Sequence, residues 1–551
     1  MSSERYDLLV IGAGIYGATV AWDAALRGLK VALIDKGDFG GATSANSLKT
    51  IHGGLRYLQQ LDLLRMRESI RERVTLMRIA PHLVHPQPVL MPTYGYKLKS
   101  RPALHAAMLA NDIIGFDRNR LSDPQKRIPN GRTLSRRELK GLIPGYDKHN
   151  LNGGALWFDC QCVNTERLLL SYVISATQKG ADAANYVEAT GFLKEGTRVT
   201  GIGAKDILTG EPFEIRSRFI VNESGPWVDE ILSGLNGNDQ QKKFVRSTAM
   251  NLMVNRKVAD RYALGLSGPF RHLFANGSEY NGFRILFFSP WRGRTIIGTN
   301  HRPYDGADRE YRITEKEIRD FLADVNQAYP AAEIRREEVT FFCGGFLPMK
   351  GIHPRTGEVQ LVRHFKIHDH ARRDGIEGLI TVIGVKYTTA RDVARRTVDL
   401  IALRINRKVA PSRTETTRLY GGEIDRFDDF LKENVNRNLH GLGERVWTHL
   451  SRNYGSALED ILLYEKKDGQ ALKTLSGSDE VTRAEVLHAV RKEMALRLPD
   501  VVLRRTDLGS AGHPGGQAMV ETARIMGQEL GWSDAKRESE IAAADRIYIP
   551  A

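Results

Sequence analysis

Residues 7–35 read Asp7-Leu8-Leu9-Val10-Ile11-Gly12-Ala13-Gly14-Ile15-Tyr16-Gly17-Ala18-Thr19-Val20-Ala21-Trp22-Asp23-Ala24-Ala25-Leu26-Arg27-Gly28-Leu29-Lys30-Val31-Ala32-Leu33-Ile34-Asp35. The apolar run from Asp7 to Ile11 has the length of a buried strand, and a helix-like run from Ala18 to Arg27 follows the glycine turn. A second strand, Lys30 to Ile34, ends at Asp35, 18 residues beyond Gly17. Strand, glycine turn, helix, strand and terminal acid within about 30 residues form a βαβ unit suited to a dinucleotide. Gly12 permits the tight turn, Gly14 lets backbone approach a pyrophosphate, and Gly17 lets helix and strand pack closely. The helix N-terminus then offers unpaired N–H groups and its positive dipole to the phosphates. Asp35 is placed to accept hydrogen bonds from a ribose.

Working outward, Arg216 to Asn222 reads as another strand before Glu223-Ser224-Gly225-Pro226-Trp227. Ile380 to Gly384 reads as a third, before Val385-Lys386-Tyr387-Thr388-Thr389-Ala390 and a helix from Arg391 to Arg404. Widely separated segments are thus expected to return to one sheet. The runs Arg284 to Phe288 and Arg294 to Ile297 alternate as strands of an antiparallel sheet do. Beyond Pro411, amphipathic helices are expected at Arg426–Val435, Leu442–Asn453, Ala457–Tyr464, Thr482–Ala495, Gln517–Leu530 and Asp534–Ile547. The fold class is therefore α/β plus α: a Rossmann-type domain, an inserted antiparallel-sheet domain and a C-terminal helical domain. The expected division gives 1–93, 151–245 and 361–410 to the cofactor domain, 94–150 and 246–360 to the substrate domain, and 411–551 to the helical domain.

The 551 residues carry 80 Lys plus Arg against 66 Asp plus Glu, with 41% hydrophobic residues, the composition of a globular protein. Three cysteines exclude a disulfide scaffold and a four-cysteine zinc site. Cys160 and Cys162 are read as structural thiols. The apolar stretch Leu8 to Trp22 falls short of the ~20 residues of a spanning helix, and the N-terminal residues lack the pattern of a secretory leader. The expectation is a cytoplasmic protein. The arginine-rich stretches Leu64 to Arg78 and Arg391 to Arg407 are read as solvated helix faces. His364, His368 and His370 lack a second ligand cluster, so no metal site is expected.

The block Ala42-Thr43-Ser44-Ala45-Asn46-Ser47-Leu48-Lys49-Thr50-Ile51-His52-Gly53-Gly54-Leu55-Arg56-Tyr57-Leu58 resembles the A-T-S…K-x-I-H-G-G-L-R-Y-L signature of the FAD-dependent, quinone-linked glycerol-3-phosphate dehydrogenases, of the D-amino-acid-oxidase-like superfamily. Similar matches are Val221-Asn222…Gly225-Pro226-Trp227, Ile296-Ile297-Gly298-Thr299, the Arg363 region and Gly384-Val385-Lys386-Tyr387-Thr388-Thr389. The resemblance covers nearly the whole chain. It implies FAD, oxidation of a small anionic alcohol by hydride transfer to flavin, and onward transfer to quinone or oxygen.

The resemblance implies that His52, Arg56 and Lys386 are catalytic, His52 being the base, a role that suits a group titrating near neutrality. It implies substrate contacts from Arg56, Tyr57, Arg363, Lys386 and Thr388. Cofactor contacts fall on Gly12, Gly14, Gly17, Asp35, Lys36, Thr43, Ser44, Ser47, Lys49, His52, Gly53, Gly54, Gly225, Trp227, Lys386 and Thr388. The chain departs from the family where S-G-x-R-P-L becomes Cys343-Gly344-Gly345-Phe346-Leu347-Pro348. Phe346 replaces the phosphate arginine as a pocket wall, and Lys350 is the nearby cation. Asn164 and Asn300 stand at family aspartates. The other enzymatic reading is a remodelled pocket that oxidises an amine or an N-hydroxy compound. A peripheral place on the inner membrane face and a homodimer are compatible with the resemblance, and nucleic-acid binding is not expected.

Overall fold

The computed structural model describes residues 5–551 apart from 59–60, 96–99, 237–244, 274–278, 305, 307–309, 355–357, 406, 438–440 and 467. At 56, 58, 234, 236, 271–273 and 279–281 it describes the backbone alone. The first sheet has eight strands, in the order Lys366–Asp369, Leu379–Ile383, Pro212–Asn222, Arg5–Ile11, Val31–Ile34 and Asp182–Ala184, with Val187–Glu195 and Arg198–Asp206 attached through Pro212–Asn222. The pairs from Leu379–Ile383 to Asp182–Ala184 are parallel. Their strands read as unbroken apolar runs because both faces are covered: Leu8, Leu9 and Val10 are fully buried. Helices Ile15–Leu26, Thr165–Thr177 and Ala390–Ala402 pack on one face. Gly12 and Glu223 follow the C-terminal ends of neighbouring strands, with Gly384 after the next, and form the crevice where α/β sheets bind ligands.

The second sheet has ten strands, in the order Val359–Leu361, Val339–Ile352, Arg246–Val254, Arg294–Pro303, Glu279–Trp291, Ala263–Leu273, Val84–Tyr94, Leu151–Cys162 and Thr50–Ile51, with Arg132–Ser135 beside Leu151–Cys162. Helix Glu315–Ala328 buries Ile318, Phe321, Leu322 and Val325 against its outer face. This corrects the expected division of the chain. Val84–Tyr94 and Leu151–Cys162 pair with each other along their whole lengths, so they belong to the second sheet, although the boundaries at 93 and 151 gave almost all of both to the cofactor domain. Short apolar strands carry no mark of which sheet they join.

The arginine-rich helices are also less solvated than expected. Arg73 in helix Leu63–Ile79 and Arg391 in Ala390–Ala402 are buried, and Arg391 grips Glu72 through two guanidinium nitrogens. Such a pair is tolerated in the interior because every charge has a partner.

The C-terminal region contains helices Phe427–Asn436, Glu444–Asn453, Leu458–Leu462, Arg483–Glu493, Gly516–Leu530 and Asp534–Asp545. A π-helical turn, Asp500–Arg505, was not anticipated. It presents Arg504 and Arg505 to Asp38, just beyond the first βαβ unit. Asn164 serves the same junction, capping helix Thr165–Thr177 while donating to Asn453 and Asp507. That interface explains one departure from the family pattern. Asn300 Oδ1 accepts from Arg284 at 2.5 Å, a contact an aspartate would also make, and nothing in the structure explains the amide there.

Candidate active site

The glycine turn forms a cradle with little tolerance. A Cβ on Gly17 would lie 1.8 Å from the Gly12 carbonyl oxygen, and one on Gly12, where φ is +100°, would lie 2.5 Å from the Glu223 carbonyl oxygen. Gly14 is the N-cap of helix Ile15–Leu26, and Ser44 Oγ accepts from Ile15 N–H at 3.0 Å. Asp35 accepts from Ala13 N–H at 2.7 Å and from Gly37 N–H at 2.9 Å. Burial pushes its carboxyl up to about 6, against the pull of those N–H groups. Lys36 sits 4.4 Å over the Trp227 ring, and Gly225 turns the chain beside it with φ +58°. Glu223 Oε1 and Trp227 Nε1 are buried without a hydrogen-bond partner among the described residues. Unsatisfied buried polar atoms beside a glycine cradle fit a polar ligand such as FAD.

Opposite the cradle, His52 is held by a strand residue 107 positions away: its Nδ1 lies 3.2 Å from Asp159 Oδ2. Asp159 Oδ1 accepts from Gly53 N–H at 2.6 Å, and Arg73 stands 3.5 Å off. Burial pushes the Asp159 carboxyl up, but His52, Arg73 and the Gly53 N–H outweigh it and hold it at about 2. The anion fixes the imidazole, whose side chain remains 39% exposed beside the Phe287 ring. Thr388 Oγ1 accepts from His52 N–H at 3.3 Å. Gly54, with φ +88°, lies so close to helix Leu63–Ile79 that a Cβ would be 3.0 Å from Ser69 Cβ.

Lys386 reaches the same place from the end of Leu379–Ile383. Its Nζ donates to Ser69 Oγ at 2.7 Å and lies 4.8 Å over the Tyr57 ring. Burial, then the positive charge of Arg65, push the ammonium down to about 7. Tyr16 holds the loop: its hydroxyl donates to the Lys386 carbonyl at 2.8 Å and accepts from Val385 and Lys386 N–H. The structure therefore brings together His52, Tyr57, Lys386 and Thr388. Asp159, Arg65, Ser69, Arg73 and Tyr16 were missed, because a residue anchored across the fold leaves no local pattern. The Tyr16 position within the glycine motif was the only available signal.

Other expected residues fall elsewhere. Lys49 points inward, donating to Thr165 Oγ1 at 2.8 Å and pairing with Glu166, so it supports the loop and does not reach the cofactor crevice. Ser47 Oγ is used locally, by Lys49 N–H. Thr43 Oγ1 donates to the Phe346 carbonyl at 3.0 Å. The Phe346 ring packs on Tyr304 at 4.8 Å, with Tyr311 and Arg246 around it. Side chains alternate along a strand, and it is Gly345 that faces Thr43, so the Phe346 ring lies on the other face of the strand. Lys350 is exposed further along the strand. Arg363 is exposed beside His364, whose Nε2 is 3.5 Å from Asp62. The Arg56 side chain lies outside the described residues, although its backbone is in helix Leu55–Leu58.

Cys160 and Cys162 are buried free thiols, pushed up to about 12 by burial. His368 and His370 meet Asp374, a partner the sequence reading lacked, through contacts of 2.7 and 2.5 Å. No helix among the described residues is long and apolar enough to cross a membrane.

Comparison with known proteins gives a consistent picture. Residues 7–390 match the family "FAD dependent oxidoreductase", and 412–537 match "C-terminal domain of alpha-glycerophosphate oxidase". A Synechocystis protein named glycerol-3-phosphate dehydrogenase is 33% identical over 98% of this chain and 96% of its own length. The Mycobacterium tuberculosis glycerol-3-phosphate dehydrogenase 2 is 30% identical, over 98% and 88%. A crystal structure of the Bacillus halodurans glycerol-3-phosphate dehydrogenase complexed with FAD superposes with a TM-score of 0.76 at 25% identity, over 100% of this chain and 95% of that one.

Proposed function

Because the chain belongs to the FAD dependent oxidoreductase family, we propose that it oxidises glycerol 3-phosphate or a closely similar anionic alcohol and passes the electrons to quinone or oxygen. The observation that carries this reading is the pairing of a carboxylate-anchored imidazole with a half-buried ammonium on a loop that Tyr16 ties to the glycine cradle. The full-length relatives favour the alcohol over the amine alternative.

The residues that would hold FAD are Gly12, Gly14, Ser44 and Asp35 along the cradle, with Lys36 and Trp227 beside it. Bound there, FAD supplies the two-electron acceptor. An alcohol does not release hydride while its oxygen keeps the proton, so a base must take that proton. With Nδ1–H donated to Asp159, the basic nitrogen of His52 is Nε2, and the carboxylate stabilises the imidazolium that forms. Lys386 supplies positive charge to the substrate while Ser69 and the Tyr57 ring fix its ammonium.

A membrane quinone as acceptor is supported by one surface. Leu61, Leu64, Leu109, Ile113 and Phe116 are exposed, Leu64 to 87%. Arg67 and Arg120 lie over the Phe116 ring at 5.4 and 5.6 Å. Apolar side chains rimmed by arginines suit a surface lying against anionic lipid.

The test is anaerobic titration of the purified yellow protein with sn-glycerol 3-phosphate, following the flavin absorption band. Prompt bleaching is expected. A flavin that dithionite reduces but the substrate does not would overturn the reading.

A further inference from the structure

We infer that Arg65 is a phosphate-binding residue of this enzyme, closing with Lys386 an anion site over the Tyr57 ring. The inference rests on the proposed function for the identity of the anion, and on the following geometry for the site.

The Arg65 guanidinium carbon lies 4.1 Å from the Tyr57 ring centroid, and Lys386 Nζ lies 4.8 Å from the same centroid. Two cations thus share one ring, and their mutual repulsion contributes to the loss of affinity of Lys386 for its proton. Asp159 and Glu68 offset part of that repulsion, and an anion bound between the two cations would offset more of it. Within the same helix Arg67 pairs with Asp117, Arg71 with Glu415 and Arg73 with Asp159. Arg65 has no carboxylate within ion-pair distance among the described residues. Arg78, in the last turn of the helix, spends its guanidinium on the Glu415 and Arg120 carbonyls, whereas Arg65 lies half-buried beside Tyr57.

Its position has the right direction. Residues 65, 69 and 73 follow each other at one-turn spacing along one face of helix Leu63–Ile79. Arg73 reaches Asp159, behind His52; Ser69 holds Lys386; Arg65 is the next step along that row, away from the base. A substrate whose hydroxyl meets His52 would therefore extend its charged end toward Lys386 and Arg65. The strand that would otherwise provide a cation does not do so: Phe346 packs among Tyr304, Tyr311 and Arg246, and Lys350 is exposed beyond it. A planar guanidinium held over an aromatic ring has a fork of N–H donors to offer phosphate oxygens, which a point-charge ammonium cannot imitate. Arg65 thus takes over, from a helix, the contact that Phe346 removes from the sheet.

The experiment uses the flavin-loaded full chain and the variants Arg65→Met, Arg65→Gln and Arg65→Lys. Two quantities are read: the dissociation constant of inorganic phosphate, from its perturbation of the flavin spectrum, and KM and kcat for sn-glycerol 3-phosphate. Loss of one charge-assisted contact should weaken phosphate binding and raise KM by about tenfold or more in Arg65→Met, with kcat within about twofold. Arg65→Lys should recover part of both losses. Unchanged phosphate affinity and KM in an Arg65→Met protein that retains flavin would overturn the inference. If that variant loses flavin, Arg65→Gln decides by the same criteria. Should glycerol 3-phosphate fail to reduce the wild type while phosphate binding still depends on Arg65, the anion site stands and the proposed substrate falls.

Discussion

Asp35 in the glycine cradle and Asp159 in the pocket are both carboxylates held by backbone N–H groups, yet they titrate in opposite directions. Asp35 accepts from Ala13 and Gly37 and is pushed up to about 6; Asp159 accepts from Gly53 and is held at about 2. Burial opposes ionisation in both. The difference lies in the partners: the His52 ring and the Arg73 guanidinium stand against Asp159, while beside Asp35 the charge of Lys36 is offset by that of Asp38. Backbone N–H groups are enough to place a carboxylate, but a full opposite charge is needed to keep it ionised when buried. The cradle is shaped to receive a ligand; the pocket is charged to act on one.

The largest expected effect breaks the cradle. Gly17→Ala sets a methyl group 1.8 Å from a backbone oxygen that cannot move without opening the first strand–helix turn. The purified variant should contain little flavin; a stoichiometric yellow protein would show that the close packing is dispensable.

Next, Asp159→Asn removes the charge that orients His52. Flavin reduction by glycerol 3-phosphate, measured by anaerobic stopped flow, should slow on the order of 10²-fold or more. Full flavin content with an unchanged rate would leave His52 a purely structural residue.

A third prediction concerns pH. Lys386 is charged below about 7 and loses its proton above it, so KM for the anionic substrate should climb as pH rises through 7, approaching about tenfold per unit. Lys386→Met should flatten that profile.

The smallest effect sharpens the comparison itself. The folded-state pKa of Asp35 lies above its ordinary 3.8, so its burial penalty is present at neutral pH and relieved as pH falls through about 6. Asp159 has the reverse sign: its stabilisation is present above its ordinary 3.8 and lost as pH falls toward about 2. Asp35→Asn should therefore leave the melting temperature of the flavin-free protein at pH 7 unchanged or higher, while weakening FAD binding by about tenfold. A clear fall in that melting temperature would show that the Asp35 carboxylate stabilises the turn by itself.

The cradle was legible because its parts are local. Gly12, Gly14, Gly17 and Asp35 lie within one βαβ unit whose spacing is set by strand and helix geometry. His52, Tyr57, Lys386 and Thr388 were found through a resemblance between sequence blocks, and the structure sets His52 against Thr388 and Lys386 over the Tyr57 ring. Asp159 and Arg65 were not legible. One lies on a strand that the reading had given to the wrong sheet, and the other was read as part of a solvated helix face. The direction of Phe346 was not legible for a related reason, since strand alternation is visible in sequence but the identity of each face is not.

By itself, the sequence determined the αβ core, the glycine cradle and the kinship with flavin-dependent oxidoreductases, because these rest on contacts between residues close in the chain or on long conserved-length blocks. Only the tertiary structure decided which carboxylate anchors His52, that Arg65 lies over Tyr57 without a carboxylate beside it among the described residues, and which way Phe346 faces. Those are questions of charge and direction between distant segments. Burial makes an unpaired charge expensive, so which charges folding pairs, and that Arg65 has no carboxylate beside it among the described residues, is settled only when the segments meet.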